Sequence, residues 1–258
     1  MDLLVAYEDD PAGTNMAKFI SKDLEKIDTI FRGQKFDVLI IPSPVISADW
    51  IDEKFPYDRY VFLSKHAAES GMLALTCHST GNFDTAKFGG NPKQIAIPSP
   101  SLQKTYLQNL WKKRNNFLDF QITIEATHHG PTNLNKPCIF IEIGTTQKQW
   151  SDKELCNSVA QIVKQTIDQP PTNFPFAICF GGTHYSEKFT HQVINGKFAL
   201  GTVVPKYAVE LLDKDLFQHI VERNIGAEAA LLDWNSLGKN KQKIMELLST
   251  TKLEVIKI

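Results

Sequence analysis

The stretches FQITIEATHHGPT (residues 120–132) and CIFIEIGTTQKQW (residues 138–150) decide the fold. Each starts as an apolar run of strand length and stops in a cluster of polar and turn-forming residues. CIFIEIG is apolar on both faces, as a strand covered from both sides must be. Working outward, LLVAY, FDVLIIP, YVFLS, LALTCH and QIAIPS precede these runs and FAICF follows them. Helical patterns intervene around Ala17 to Ile27, from Leu102 to Lys113 and from Asp152 to Ile167, the last opened by Ser151 with Glu154 three residues on. VPKYAVELL, LFQHIVERN and KQKIMELLS read as further helices and KLEVIKI as a final strand. The alternation predicts one α/β domain over residues 1–258, three-layered α/β/α, with a mixed central sheet.

Composition narrows the partners. The chain has 258 residues, 42% of them hydrophobic, enough for a sizeable core, and a formal net charge of -1. No global field draws it to nucleic acid or membrane, so a polyanion must meet a local patch. No apolar run reaches the length of a membrane span, and the acidic start MDLLVAYEDD is not a targeting peptide. Cys77, Cys138, Cys156 and Cys179 stand singly, without a CxxC pair, which suggests buried thiols of a cytoplasmic protein. Nothing predicts an obligate interface, so a monomer is the default.

Polar chemistry collects where the strands stop. YVFLS runs into KHAAESG, LALTCH into STGN, QITIEAT into HHGPT, CIFIEIG into TTQKQW and FAICF into GGTHYSE. Ligands of open α/β sheets bind beyond the carboxyl ends of strands, so these segments are expected to line one cleft. Five of the seven histidines, His66, His78, His128, His129 and His184, fall there. His191 and His219 lie in helical patterns instead. A strand continuing through His128 and His129 would send only one into the cleft, a constraint that a turn at Gly130-Pro131 would relax. Acids accompany them: Glu69 three residues after His66, Glu125 three before His128, and Glu142 within IEIG. His78, His128, His129 and Glu142 are the candidates for catalysis. His66, Glu69, His78 and His184 are the candidates for holding a catalytic zinc, which needs three such ligands and an open position.

No GxSxG elbow is present, so water is the expected attacker. Asp10, Asn15, Ser79, Thr80 and Thr183 are candidates to hold substrate. The glycine pairs Gly89-Gly90 and Gly181-Gly182 are candidates to bring backbone N–H groups close to an anion. Neither pair forms a Walker A or dinucleotide motif. WKKRNNF offers a local basic surface in Lys112, Lys113 and Arg114, with Lys148, Lys206 and the run from Lys239 to Lys243 as further phosphate contacts.

The ordered segments DPAGTNMA, SKHAAESG, LTCHSTGNF, FGGNPK, IEATHHGPT, FIEIGTTQKQW and FGGTHYSEKFT, with GTVVPKYA and NIGAEAALLDW in the tail, resemble the archaeal and plant type of D-aminoacyl-tRNA deacylase. That resemblance implies a phosphorylase/hydrolase-like α/β fold and association with zinc. It also implies hydrolysis of the ester joining a D-amino acid to the 3′ end of tRNA. From the residues alone, a zinc-dependent peptidase or amidohydrolase, a nucleoside phosphorylase-like enzyme and a non-catalytic tRNA-binding module remain open beside it.

Overall fold

A computed structural model describes residues 1–69 and 71–258. Its strands are β1 (Asp2–Tyr7), β2 (Glu25–Ile27), β3 (Ile30–Arg32), β4 (Phe36–Ile41), β5 (Arg59–His66), β6 (Ala74–His78), β7 (Gly81–Asn82), β8 (Gln94–Ile95), β9 (Gln121–Ile124), β10 (Cys138–Gly144), β11 (Phe176–Phe180), β12 (Ala199–Val204), β13 (Ala229–Leu232) and β14 (Glu254–Lys257). Its helices are α1 (Pro11–Ile20), α2 (Ile51–Lys54), α3 (Pro100–Lys112), α4 (Gln147–Trp150), α5 (Lys153–Asp168), α6 (Glu187–Asn195), α7 (Lys206–Val209), α8 (Lys214–Arg223) and α9 (Lys241–Leu248).

The central sheet is mixed, in the order β2-β3-β4-β1-β5-β10-β6-β9. β4, β1, β5 and β10 run parallel, while β6 and its partner β9 run against β10. A second, parallel sheet follows the order β12-β11-β13-β14. One hydrophobic core joins them: Leu63, Ile141 and Cys77 of the first sheet and Cys179 and Val203 of the second pack with Tyr106 and Leu107 of α3 and Val159 of α5.

Register carries polar residues to the other face of the first sheet. Cross-strand partners share a face. Phe62, Phe140 and His78 form one row, Ser64, Glu142 and Thr76 the next, and His66 pairs with Gly144 beyond them. Residue 144 is glycine for a steric reason: a Cβ there would lie 2.7 Å from His66 Cδ2.

Three local expectations change. The helix expected over Ala17 to Ile27 starts at Pro11, because the buried Asp10 caps it by accepting from Gly13 N. It ends at Ile20, and KIDTIFR forms the β2–β3 hairpin, turning at Asp28 with φ 54°. α5 is capped by Asp152, which accepts from Glu154 N and Leu155 N, and not by Ser151. QIAIPS keeps only the two-residue β8, paired with β7, followed by an isolated bridge from Pro98 to Cys138. All four cysteines are buried free thiols.

Lys104 locks α3 to α6. Its side chain is 1% exposed, and its Nζ donates to Val193 O at 2.7 Å, Gly196 O at 2.8 Å and Phe198 O at 3.2 Å. Removing a shared donor strands those carbonyls. Lys104→Ala is therefore expected to lower unfolding free energy by about 2–4 kcal/mol in urea titrations; a change within 0.5 kcal/mol, typical of surface sites, would contradict this role.

Candidate active site

His66, at the end of β5, is the centre of a buried charge cluster. Its Nδ1 lies 3.1 Å from Glu125 Oε1 and 3.2 Å from Glu142 Oε2, and its Nε2 lies 2.8 Å from the Tyr185 hydroxyl. The Nδ1–H is aimed well enough to bond only Glu142, which leaves Glu125 Oε1 buried without a hydrogen bond. Burial pushes the His66 pKa down, but the two carboxylates outweigh it and raise it to about 10. Burial pushes the other way on the acids. His184 and His66 nevertheless hold Glu125 well below the usual carboxylate range, and His66 and His78 hold Glu142 below it.

Glu125 directly follows β9 and is tied to the loop after β11 by a bridge to Tyr185 and by Ala126 N donating to His184 O at 2.8 Å. That loop delivers His184, whose Nε2 sits 3.0 Å from Glu125 Oε2. The result is a buried carboxylate orienting an imidazole whose side chain is 31% exposed.

The remaining three histidines have a common orientation. Nδ1 of His128 lies 2.8 Å from Ala126 O, Nδ1 of His129 2.7 Å from Gly130 O, and Nδ1 of His78 3.1 Å from Ser79 O. A carbonyl only accepts, so each Nδ1 carries the proton and each neutral ring keeps its lone pair on Nε2. His129 reaches this pose with φ 43°, which lets both members of the His128-His129 pair face the cleft after β9 has ended. Burial, then the neighbouring His78, holds His129 down to about 4 and His128 well below the ordinary histidine value. Solvent reaching 30% of the His128 side chain tempers that effect. His78 is pushed down by burial but raised overall by Glu142, whose Oε2 is 3.8 Å from its Nε2.

The cleft holding these groups has a volume of about 530 Å³, inside the range of small-ligand sites. His66, His128, His129, His184, Glu125 and Glu142 line it together with the apolar Pro44, Val45, Ile46 and Phe88. His78 lies behind, its ring centroid 4.1 Å from that of His128. A groove of about 620 Å³ between Phe217 and Leu253 is larger but is lined by one glutamate and no histidine.

Other expected site residues lie elsewhere. Glu69 is exposed in the loop after β5 and joins none of the His/Glu groupings. Ser79 and Thr80 are buried, their hydroxyls donating to Gly201 O and Pro131 O. Asn15 ties α1 to α4 through Trp150 O, and Thr183 donates to Tyr185 O. Asp10 does line the cleft, yet its oxygens accept from Gly13 N, Lys65 N and Ser64 Oγ. Gly181 N donates to Val204 O and Gly182 N to Ser236 Oγ, so neither is available to an anion. Gly89 and Gly90, at φ 77° and 72°, pack against Ile46 O and Thr132. Lys112, Lys113 and Arg114 end a helix that packs on the sheet face opposite Glu142, and none lines the cleft. Lys65 does line it, with Nζ 5.1 Å from the Trp150 ring centroid. Tyr185 and Phe88 are additions: each sits beside a motif residue, but nothing in its own type or spacing marks it.

A family model described as D-aminoacyl-tRNA deacylase matches residues 53–256. A protein of Cenarchaeum symbiosum named D-aminoacyl-tRNA deacylase is 55% identical, over 99% of this chain and 99% of its own. One of the same name from Archaeoglobus fulgidus is 32% identical, over 100% of this chain and 96% of its own. A crystal structure of a conserved protein of unknown function, AF0625, matches with a TM-score of 0.94 at 31% identity, covering 100% of this chain and 95% of that one.

The cluster predicts how stability follows pH when chelator is present. His66 binds its proton more tightly folded (about 10) than unfolded (6.5), so its contribution is complete below pH 6.5 and is lost as pH rises toward 10. His129, at about 4 folded, acts oppositely: its contribution is present above pH 6.5 and is lost as pH falls toward 4. Urea midpoints should thus decline between about pH 7 and 9.5, and His66→Gln should flatten that decline. An equally steep alkaline decline in the variant would show that His66 is not the charged centre.

Proposed function

The chain belongs to the D-aminoacyl-tRNA deacylase family, and we propose that its hydrolysis of the ester between a D-amino acid and the 3′ end of tRNA takes place in the His/Glu cleft, with His184 moving the proton. The Glu125–His184 pair carries this reading: a buried carboxylate 3.0 Å from the Nε2 of a partly exposed imidazole fixes the proton on Nε2 and leaves Nδ1, which faces the Tyr207 hydroxyl at 3.4 Å, as the accepting nitrogen that a water replacing that long contact would use as base.

Water attacks the ester carbonyl carbon and gives its proton to His184 Nδ1. Glu125 stabilises the imidazolium that forms. The tetrahedral centre then collapses, the bond from carbonyl carbon to ribose oxygen breaks, and that oxygen leaves with the proton from His184. Free tRNA and the D-amino acid are the products. Tyr185 accepts from the charged His66 and lines the same cleft, which leaves its own O–H to donate to the developing oxyanion. With Gly181 N and Gly182 N already bonded, that hydroxyl replaces the backbone donors expected from the glycine pair.

The residues also fit zinc. His78 Nε2 and Glu125 Oε1 are buried with no hydrogen-bond partner, and the ligand atoms of His78, His128 and His129 lie within 4.8 Å of one another. Three imidazoles held through Nδ1–H by carbonyls, with Nε2 bare, match the way metal-binding histidines are oriented. His78, His128 and His129 would hold the ion, which would supply Lewis-acid polarisation and a more acidic water. Phosphate contact falls to Lys65 in the cleft lining, with Lys148 in α4 and Lys206 in α7 as further candidates. Work on tRNA suits a cytoplasmic monomer.

Single-turnover release of D-tyrosine from D-tyrosyl-tRNA, beside L-tyrosyl-tRNA, tests the assignment. Rapid release from the D-ester alone is expected, slowed about 10²–10⁴-fold by His184→Ala. Full activity in that variant would remove His184 from the mechanism. Chelator should slow the wild type and zinc restore it; His128→Ala should fail to retain zinc that His184→Ala still binds, and equal zinc content in both would refute the ligand set.

A further inference from the structure

Phe88 is 66% exposed, and of the exposed large hydrophobic side chains among the described residues it alone lines the catalytic cleft. An exposed ring at a cleft mouth forgoes burial worth a large share of its transfer free energy, so a ligand that covers it gains that energy. Its mounting is rigid. Phe88 O accepts from Gly130 N at 3.1 Å, and Asn82 Nδ2 donates to Gly89 O at 2.9 Å and to Asn91 O at 3.2 Å. A Cβ on Gly89 would stand 2.0 Å from Ile46 O, one on Gly90 2.6 Å from Thr132 Cγ2, and one on Gly130 2.3 Å from Gly90 N. The turn is thus wedged between two loops, and the second of them carries His128 and His129. The backbone that presents the ring is therefore fixed before any ligand arrives.

Resting on the deacylase reading above, we propose that Phe88 is the stacking platform for the terminal adenine base of the tRNA 3′ end, with the apolar segment 44–46 lining the same cleft. The ester must reach the histidines of the same cleft, and Phe88 is mounted next to the loop that carries two of them, so the substrate group adjoining the ester lies beside Phe88. The aminoacyl side chain varies among substrates of an enzyme class defined by "aminoacyl", whereas the terminal adenosine is the same in every tRNA. A fixed aromatic face suits the invariant part. Lys87 precedes Phe88 and is exposed, and Lys65 lines the cleft, giving the pairing of cation and aromatic ring typical of single-strand binding.

Equilibrium binding of the trinucleotide CCA, against the same trinucleotide with an abasic terminal ribose, isolates the base without requiring hydrolysis. Wild type should prefer CCA by about tenfold to a hundredfold, the range one stacked base provides. Phe88→Ala should bind both at the abasic level, and Phe88→Trp should keep the preference. Phe88→Leu, which keeps bulk without a π face, serves if the alanine variant does not fold, and should also lose the preference. No preference in the wild type, or a preference surviving in Phe88→Ala or Phe88→Leu, would overturn the proposal while leaving the deacylase reading intact. Base preference without any release of D-amino acid would instead strike the deacylase reading and leave the stacking.

Discussion

Two carboxylates buried against one imidazole nitrogen constrain the rest of this protein. Glu125 and Glu142 both lie within 3.2 Å of His66 Nδ1, where water cannot screen their repulsion. Such acids stay ionised only if cations and donors surround them. The histidines perform that service: His66 takes the charge, His184 and His78 approach from either flank, and the remaining pair stays neutral because burial disfavours their charged forms. The division into charged and neutral rings arises from this crowding. It also divides the groups by what they can offer: the neutral rings have free lone pairs, and His184 is oriented by a buried carboxylate, as the proposed proton transfer requires.

The fold makes the crowding possible by running strands in both directions. Parallel β5 and β10 bring His66 and Glu142 to neighbouring rows, and antiparallel β6 returns His78 to the same face one row back. Glu125 comes from a chain that has just left the sheet edge and is held by the loop after β11. The second sheet therefore does more than add core. It carries His184 and Tyr185 on the loop after its second strand in spatial order, and shares one hydrophobic interior with the first. Gly144 and the Gly89-Gly90 turn admit close approaches that any side chain would block.

Much of this was legible before the structure. The mixed α/β architecture followed from apolar runs alternating with helical periods, and the gathering of His66, His78, His128, His129, His184 and Glu142 followed from polar residues at strand ends. The misplacements have physical causes. Glu69 and Glu125 each stand three residues from a histidine, but Glu69 follows its strand into solvent while Glu125 stays against the sheet edge. Spacing alone cannot separate those cases. Ser79 and Thr80 look like ligands in sequence because hydroxyls near histidines suit either role, and only burial shows that carbonyls already occupy them. Lys112, Lys113 and Arg114 form a basic run away from the cleft lining, a placement that charge density alone does not reveal. The second sheet was hidden because FALGTVV and AALLD are short runs between helices, with glycine interrupting one of them.

Nitrogen-15 NMR of histidine-labelled protein, in chelator at pH 7.5, tests the central claim about charge and tautomer most directly. The account predicts that His66 is doubly protonated and that His128 and His129 are neutral with the proton on Nδ1. Neutral His66, or His128 and His129 protonated on Nε2, would contradict it.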